Sequence, residues 1–463
     1  MQTKRTKRMV VLVVIAVVAV LALPVSNLFY SPKSAAMGRI ATDDKTFASA
    51  LDVLSEKCAF CHTSDVSMPL YAGLPVAKGI IQRDIAEGTR YIDYLKSLSP
   101  GEGKPVSEVV LAKTEYVIEH STMPPGRFLA LHWNGRLSAN ETAAVMGWIR
   151  DQRLRHFATG DAADAYTSDV LQPLPTSVDV NTAKAAIGNK LFHDKRLSKD
   201  DTVACASCHA LDKGGTDLSQ YSTGVGNALG GINAPTVYNS GLQFMQFWDG
   251  RAATLEQQAD GPVNNPIEMA SNWPEAFGKL SQDAAFMAEF TAVFPDGLSM
   301  ENCTGAIAEF ERTLITPNSK FDRYLRGDAS ALDAREAAGL RVFRETGCTT
   351  CHAGKLLGGQ SFERMGRKAD YFELRGMKMT DADNGRYNVT KNEADRHAFK
   401  TPTLRNIAKT APYLHDGSYT DLAKVVDVMA AKQLGKTLTP DETASVVAFL
   451  NALTGEYGGK PLQ

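Results

Sequence analysis

Cys205-Ala206-Ser207-Cys208-His209 reads C-x-x-C-H, and the same pattern stands at Cys58-Ala59-Phe60-Cys61-His62 and at Cys348-Thr349-Thr350-Cys351-His352. The spacing suits covalent attachment of haem c: two cysteines form thioethers with the porphyrin edge, and the adjacent histidine gives iron its proximal nitrogen. Disulfides, a redox dithiol and zinc are the alternatives. A dithiol has no use for a trailing histidine three times over. Zinc needs a second Cys or His pair nearby, which none of the three motifs has. The motifs therefore predict three haem c groups with His62, His209 and His352 as proximal ligands. The seventh cysteine, Cys303, lies in a helical pattern with Ile307 and Phe310 and reads as a small buried hydrophobe.

The flanks repeat as well. Ala185-Ala186-Ile187-Gly188 with Leu191-Phe192 precedes the second motif, and Ala337-Ala338-Gly339-Leu340 with Val342-Phe343 precedes the third. Each reads as an amphipathic helix delivering the chain to its haem. Ser138-Ala139-Asn140-Glu141 and Thr439-Pro440-Asp441-Glu442 are capping boxes that open helices closing the first and third domains, with Pro440 suited to the first helical position. The fold class expected is mainly α: three cytochrome c-like helical haem domains in tandem after an N-terminal membrane anchor. The boundaries expected are an anchor at 1–30, a monohaem domain at 39–156, a linker at 157–180 without periodicity, and haem domains at 181–330 and 331–463.

A chain of 463 residues with 44% apolar residues, 22% charged residues and a formal net charge of −2 excludes a largely disordered, collagen-like or multi-span membrane protein. The balance of charge leaves no basic domain to neutralise phosphates, so nucleic acid is excluded as the main partner. Lys4, Arg5, Lys7 and Arg8 precede an apolar run from Met9 to Leu23, which Leu28, Phe29 and Tyr30 would extend. The charges put the N-terminus inside and the rest across the membrane. The run is read as an uncleaved single-pass inner-membrane anchor with the body in the periplasm; a cleaved leader, with Ser34-Ala35-Ala36 as its weak cleavage site, is the alternative.

What each iron does depends on its second axial ligand. For the first haem the candidate is Met123, in a loop stiffened by Pro124 and Pro125, with His120, His132 and Met68 as rivals.

From residue 185 onward the chain resembles the bacterial di-haem cytochrome c peroxidase family, which includes the MauG-type enzymes. The stretches that carry the likeness are Asn233-Ala234-Pro235-Thr236, Gln246-Phe247-Trp248-Asp249-Gly250-Arg251-Ala252, Leu255-Glu256-Gln257-Gln258, Gly261-Pro262-Val263 with Glu268-Met269, Thr401-Pro402-Thr403-Leu404-Arg405-Asn406 and Thr410-Ala411-Pro412-Tyr413-Leu414-His415-Asp416-Gly417. With the anchor and N-terminal haem domain, the whole resembles the three-haem, membrane-anchored quinol peroxidase branch.

The resemblance implies reduction of hydrogen peroxide to water at the haem of His209. The haem of His352 would transfer electrons with Met429 as its sixth ligand and Trp248 between the two centres. Glu268 and Gln258 would line the peroxidatic face, Glu268 as general base then acid and Gln258 orienting peroxide. Asn233, with the carbonyls of Thr410 and Pro412, would bind Ca²⁺. Arg251 and Arg405 would pair haem propionates or else form structural ion pairs. Quinol would be the donor, with soluble cytochrome c or a MauG-like oxidation of a protein substrate as alternatives; Met429 speaks against the latter. One departure matters. Where many members carry a Gly-His-Gly whose histidine blocks the peroxidatic iron, this chain has Gly224-Val225-Gly226, and no histidine occurs between His209 and His352. The iron is therefore expected to be open without reductive activation. His193 is the nearest spare imidazole, otherwise a surface helix-end residue.

Overall fold

The structure, a computed structural model, describes residues 2–29, 34–99, 101, 104–373 and 375–462; Tyr30 lies outside them. The fold is mainly helical, with two short two-stranded ribbons. The chain divides into two compact units, Met1–His156 with one haem motif and Phe157–Gln463 with two.

In the first unit, α1 (Gln2–Asn27) contains the apolar run, but no helix among the described residues is long and apolar enough to cross a membrane. This overturns the expected single-pass inner-membrane anchor and the localisation built on it. The reason is length: Met9–Leu23 is fifteen residues, which rise about 22 Å at ~1.5 Å each, short of the ~30 Å hydrocarbon layer. The end of α1 instead meets the unit's body, where the buried Asn27 side chain donates to the Leu131 carbonyl at 2.9 Å.

Asp44 caps α2 (Lys45–Lys57) by accepting from the Thr46 and Phe47 amides, and the helix runs directly into Cys58. Beyond the motif come α3 (Pro75–Tyr91), α4 (Glu108–Glu119) and α5 (Ala139–His156). The capping box read at Ser138 is formed: Glu141 N–H donates to Ser138 Oγ, and Ser138 N–H to Glu141 Oε2. Buried Arg153 on α5 pairs with Glu108 at 2.8 Å and Glu115 at 2.7 Å on α4.

The second unit is built from two crossed helix pairs. Among its helices, those that frame the two motifs are, in order, α6 (Thr182–Phe192), α7 (Leu255–Asn264), α8 (Met300–Thr313), α9 (Ala334–Thr346), α10 (Leu422–Met429) and α11 (Pro440–Asn451). α6 crosses α8 at Gly188, where a Cβ would fall 1.8 Å from the Ala306 carbonyl oxygen. α9 crosses α11 at Gly339, where a Cβ would fall 1.9 Å from that of Ser445. The repeated glycine in the two flanks is thus a steric requirement, since only hydrogen fits at either crossing. Thr439 caps α11 in a complete capping box with Pro440 in the first turn, as its sequence requires. Cys303 on α8 is fully buried among apolar side chains.

The stretch expected to be a linker lies in the second unit and is packed there. Leu171 and Leu174 are fully buried, the Leu174 amide donates to Asp322 at 2.9 Å, and the Val170 carbonyl accepts from Gly354 at 2.8 Å. Irregular backbone buries isolated residues without any period, which is why the pattern did not show it. A short ribbon of β1 (Phe362–Arg364) and antiparallel β2 (Ala398–Lys400) pairs Phe362 with Lys400.

Candidate active site

At each motif the first question is whether the residues suit a haem. Among the described residues none of the three Cys-Cys-His sets converges with a further metal-type ligand; the only such convergence is Asp383, His415 and Asp416. All seven cysteines are free of disulfides. Burial pushes the Cys58 and Cys348 thiols up to about 12.

In the first unit, His62 donates from Nδ1 to the Ile92 carbonyl at 3.0 Å, which leaves Nε2 for a metal. Burial holds this imidazole below its ordinary pKa and so neutral at pH 7. His62, Cys58 and Cys61 border one apolar cavity together with Tyr94, Met123 and Pro124. Met123 is thus brought to the proximal ligand and the thiols, while its rivals are not. Both nitrogens of buried His132 are engaged, by the Phe128 carbonyl at 3.0 Å and the Tyr71 hydroxyl at 3.1 Å. His120 lies exposed against Tyr116.

At the third motif, α9 ends at Gly347 in the left-handed region (φ 94°), which turns the chain into Cys348. His352 Nδ1 donates to the Leu357 carbonyl at 2.8 Å, and burial again keeps the ring neutral. A large apolar cavity is lined by Cys348, Cys351, His352, Trp248, Phe399 and Met429, the last residue of α10. Two thiols, a neutral imidazole with a free nitrogen and a thioether around one apolar space fit a haem. Asn233, Thr410 and Pro412 border the same cavity. The Asn233 amide donates to Ser219 at 3.0 Å, which leaves its Oδ1 as acceptor. Trp248 Nε1 donates to the Asn233 carbonyl at 2.9 Å.

At the middle motif, Cys205–Cys208 forms one helical turn, and His209 Nδ1 faces the Gly215 carbonyl at 3.4 Å. Burial lowers the His209 pKa and raises that of Cys205, with the charges of Glu311 and Glu268 adding to the latter. Glu268 is within electrostatic reach of both thiols of the motif. Burial pushes its carboxyl above the ordinary value, opposed by an amide hydrogen bond from Asn265 (2.7 Å) and by the Arg251 charge. Gln258 is half-buried on α7, whereas neighbouring Gln257 is spent on the Ala253 amide. Arg251 stacks on Phe247, 3.5 Å from its centroid, and pairs with Asp249 at 3.1 Å. Arg405 is wholly buried, paired with Asp322 at 2.9 Å and donating to the Lys355 and Gln172 carbonyls, and it lines neither cavity. His193 caps the end of α6 and is exposed.

Residues 182–330 match the di-haem cytochrome c peroxidase family, and residues 15–151 match a haem-binding domain. The chain is 46% identical over 411 residues to cytochrome c peroxidase Ccp of Escherichia coli (strain K12), covering 88% of each chain. It belongs to the di-haem cytochrome c peroxidase family. It is also 43% identical to cytochrome c551 peroxidase of Nitrosomonas europaea over 62% of this chain and 85% of that one. A crystal structure of a MauG-like protein associated with microbial copper homeostasis superposes with a TM-score of 0.55 at 30% identity, covering 61% of this chain and 93% of that one. The enzyme is a haem peroxidase.

The peroxidase carries site features that sequence reading did not single out. Lys400 lines the His352 cavity and is buried; a lone lysine after Ala398-Phe399 gave no signal, because lysine is ordinarily exposed. Glu311 on α8 is buried near Cys205, and burial pushes it up to about 8. Arg375 sits between Asp383 and Asp416, 2.7 Å from each, so a guanidinium already holds the one convergence of metal-type ligands.

Proposed function

We propose that this peroxidase reduces hydrogen peroxide to water on the face of the middle motif that Glu268 serves. The observation that carries the reading is Glu268 itself, a carboxylate with its pKa raised by burial beside Cys205 and Cys208. Three haem c groups, held through Cys58, Cys61 and His62, through Cys205, Cys208 and His209, and through Cys348, Cys351 and His352, would supply the iron and store the electrons. Glu268 Oε1 is occupied by the Asn265 amide, so Oε2 is the oxygen that takes a proton from the near peroxide oxygen and returns it to the far one. Gln258 orients the substrate by hydrogen bonding. A raised pKa brings this exchange closer to the working pH.

Met123 and Met429 complete the two electron-transfer sites, and Trp248 stands between the middle and C-terminal sites. Asn233 Oδ1 and the Thr410 and Pro412 carbonyls would hold Ca²⁺, being oxygen donors that suit a hard cation. The N-terminal unit takes up electrons from the donor. Quinol as donor now rests only on the fused haem domain, while relatives named cytochrome c peroxidase favour a reduced cytochrome. Peroxide turnover assayed with a reduced quinol analogue and with reduced cytochrome c separates the two. Glu268→Gln with haem content unchanged tests the catalytic assignment: loss of turnover supports it, and full activity removes it.

A further inference from the structure

Lys400 ends β2 and is 5% exposed. Its ammonium donates to Gln243 Oε1 and to the Met245 carbonyl, the latter at 3.0 Å. Both acceptors are neutral, and no carboxylate lies within ion-pair distance among the described residues. An ammonium has three N–H donors, so one is left over. A buried cation without a counter-charge is costly, and such groups are normally paired. Burial indeed pulls this amine down to about 7, with Asp249 opposing from beyond contact range. Lys400 and Gln243 both line the cavity that holds Cys348, Cys351, His352 and Met429. Glu363, the other charged side chain on that wall, lies across the ribbon, where Phe362 rather than Glu363 pairs with Lys400.

We infer that Lys400 is the propionate partner of the haem attached at Cys348 and Cys351, and that its charge raises the reduction potential of that centre. The inference rests on a haem occupying this cavity. A porphyrin anchored there brings two carboxylates into a space whose wall offers one unpaired cation. Electrostatics then sets the sign, because an ammonium that a propionate partner keeps protonated in a low-dielectric site favours the reduced state of nearby iron. Lys400 acts as a positioning residue. Its backbone N–H holds the Trp248 carbonyl at 2.8 Å, a contact that survives side-chain substitution, so charge can be changed without releasing Trp248.

The test uses the full chain matured with haem, and mass analysis first establishes that Cys348 and Cys351 are modified. Absence of that modification in the wild type refutes the haem reading rather than the role of Lys400. In K400M with unchanged haem content, the midpoint of the His352 centre is expected to fall enough to change its equilibrium with a fixed redox dye about tenfold, or about 59 mV for one electron. K400R is expected to titrate with the wild type. An unmoved midpoint in K400M overturns the inference. Should K400M fail to accumulate, K400R decides alone: replacing the ammonium by a guanidinium shifts the propionate bending mode in resonance Raman spectra, and an unshifted mode overturns the pairing.

Discussion

The Glu268 carbonyl accepts the Val225 amide at 2.8 Å. The loop Gly224-Val225-Gly226 is therefore docked on the segment that carries the proposed acid–base group. The approach is close enough that a Cβ at Gly224 would fall 2.2 Å from the Ile267 carbonyl oxygen. Val225 itself packs against the apolar core of this region.

That docking makes Val225→His informative. An imidazole at this position sits on a backbone hydrogen-bonded to that of Glu268, with glycine kept on both sides. The oxidised variant is expected to turn largely low-spin and to reduce peroxide only after prior reduction, as read by electron paramagnetic resonance and by turnover with and without a reductant pulse. A variant that stays high-spin and fully active would show that the loop does not face the peroxide site.

The raised pKa of Glu268 sets a pH dependence. Accepting a proton from peroxide requires the ionised carboxylate, so kcat/KM should fall as pH drops through the Glu268 pKa. Burial places that acid limb above the ~4.3 of an ordinary glutamate. In Glu268→Gln the limb should vanish and turnover should drop by about 10²–10⁴-fold, the usual contribution of general acid–base catalysis. A steady-state pH series on both proteins checks it.

Gly188→Ala and Gly339→Ala each force a methyl group into a backbone carbonyl at the helix crossings. Overpacking of this kind destabilises by about 1–3 kcal/mol. Denaturant unfolding should show losses of at least that size in both variants, against no comparable loss for Gly278→Ala, where nothing lies within 4 Å.

Arg375→Ala leaves Asp383 and Asp416 buried without their shared cation. Burial pushes the Asp383 carboxyl up, but hydrogen bonds from His415 and Arg375 outweigh it and hold the group far below the ordinary carboxylate range. A depressed folded-state pKa gives stability that is present above the unfolded value of ~3.9 and lost as pH falls. The variant should therefore lose about 3–5 kcal/mol near neutral pH, with the gap to wild type narrowing as pH falls below about 4. Thermal unfolding at several pH values measures it.

Much of this site was legible because the chemistry that marks it is local. Cys-x-x-Cys-His must be contiguous, and so must the capping boxes at Ser138 and Thr439, so both could be read directly. Met123 was separable from His132 only as a candidate, since what removes His132 is a hydroxyl on Tyr71, sixty-one residues away in sequence. The same holds for Arg405, whose partner Asp322 is distant in sequence, and for Lys400, whose environment is assembled from the cavity wall. The anchor was misread because charge pattern and apolarity were both present while the length fell short. Residues 157–180 carry no period in the sequence because Leu171 and Leu174 are buried without periodic neighbours.

We propose that an iron bound through His209 would keep a free coordination position before any reduction, because the resemblance to the family puts Val225 where many members carry a blocking histidine. The electron paramagnetic resonance spectrum of the as-isolated, fully oxidised protein tests this most directly. A high-spin ferric signal alongside low-spin centres, converted on addition of peroxide without reductant, is the predicted result. A spectrum with every iron low-spin and unchanged by peroxide would contradict it.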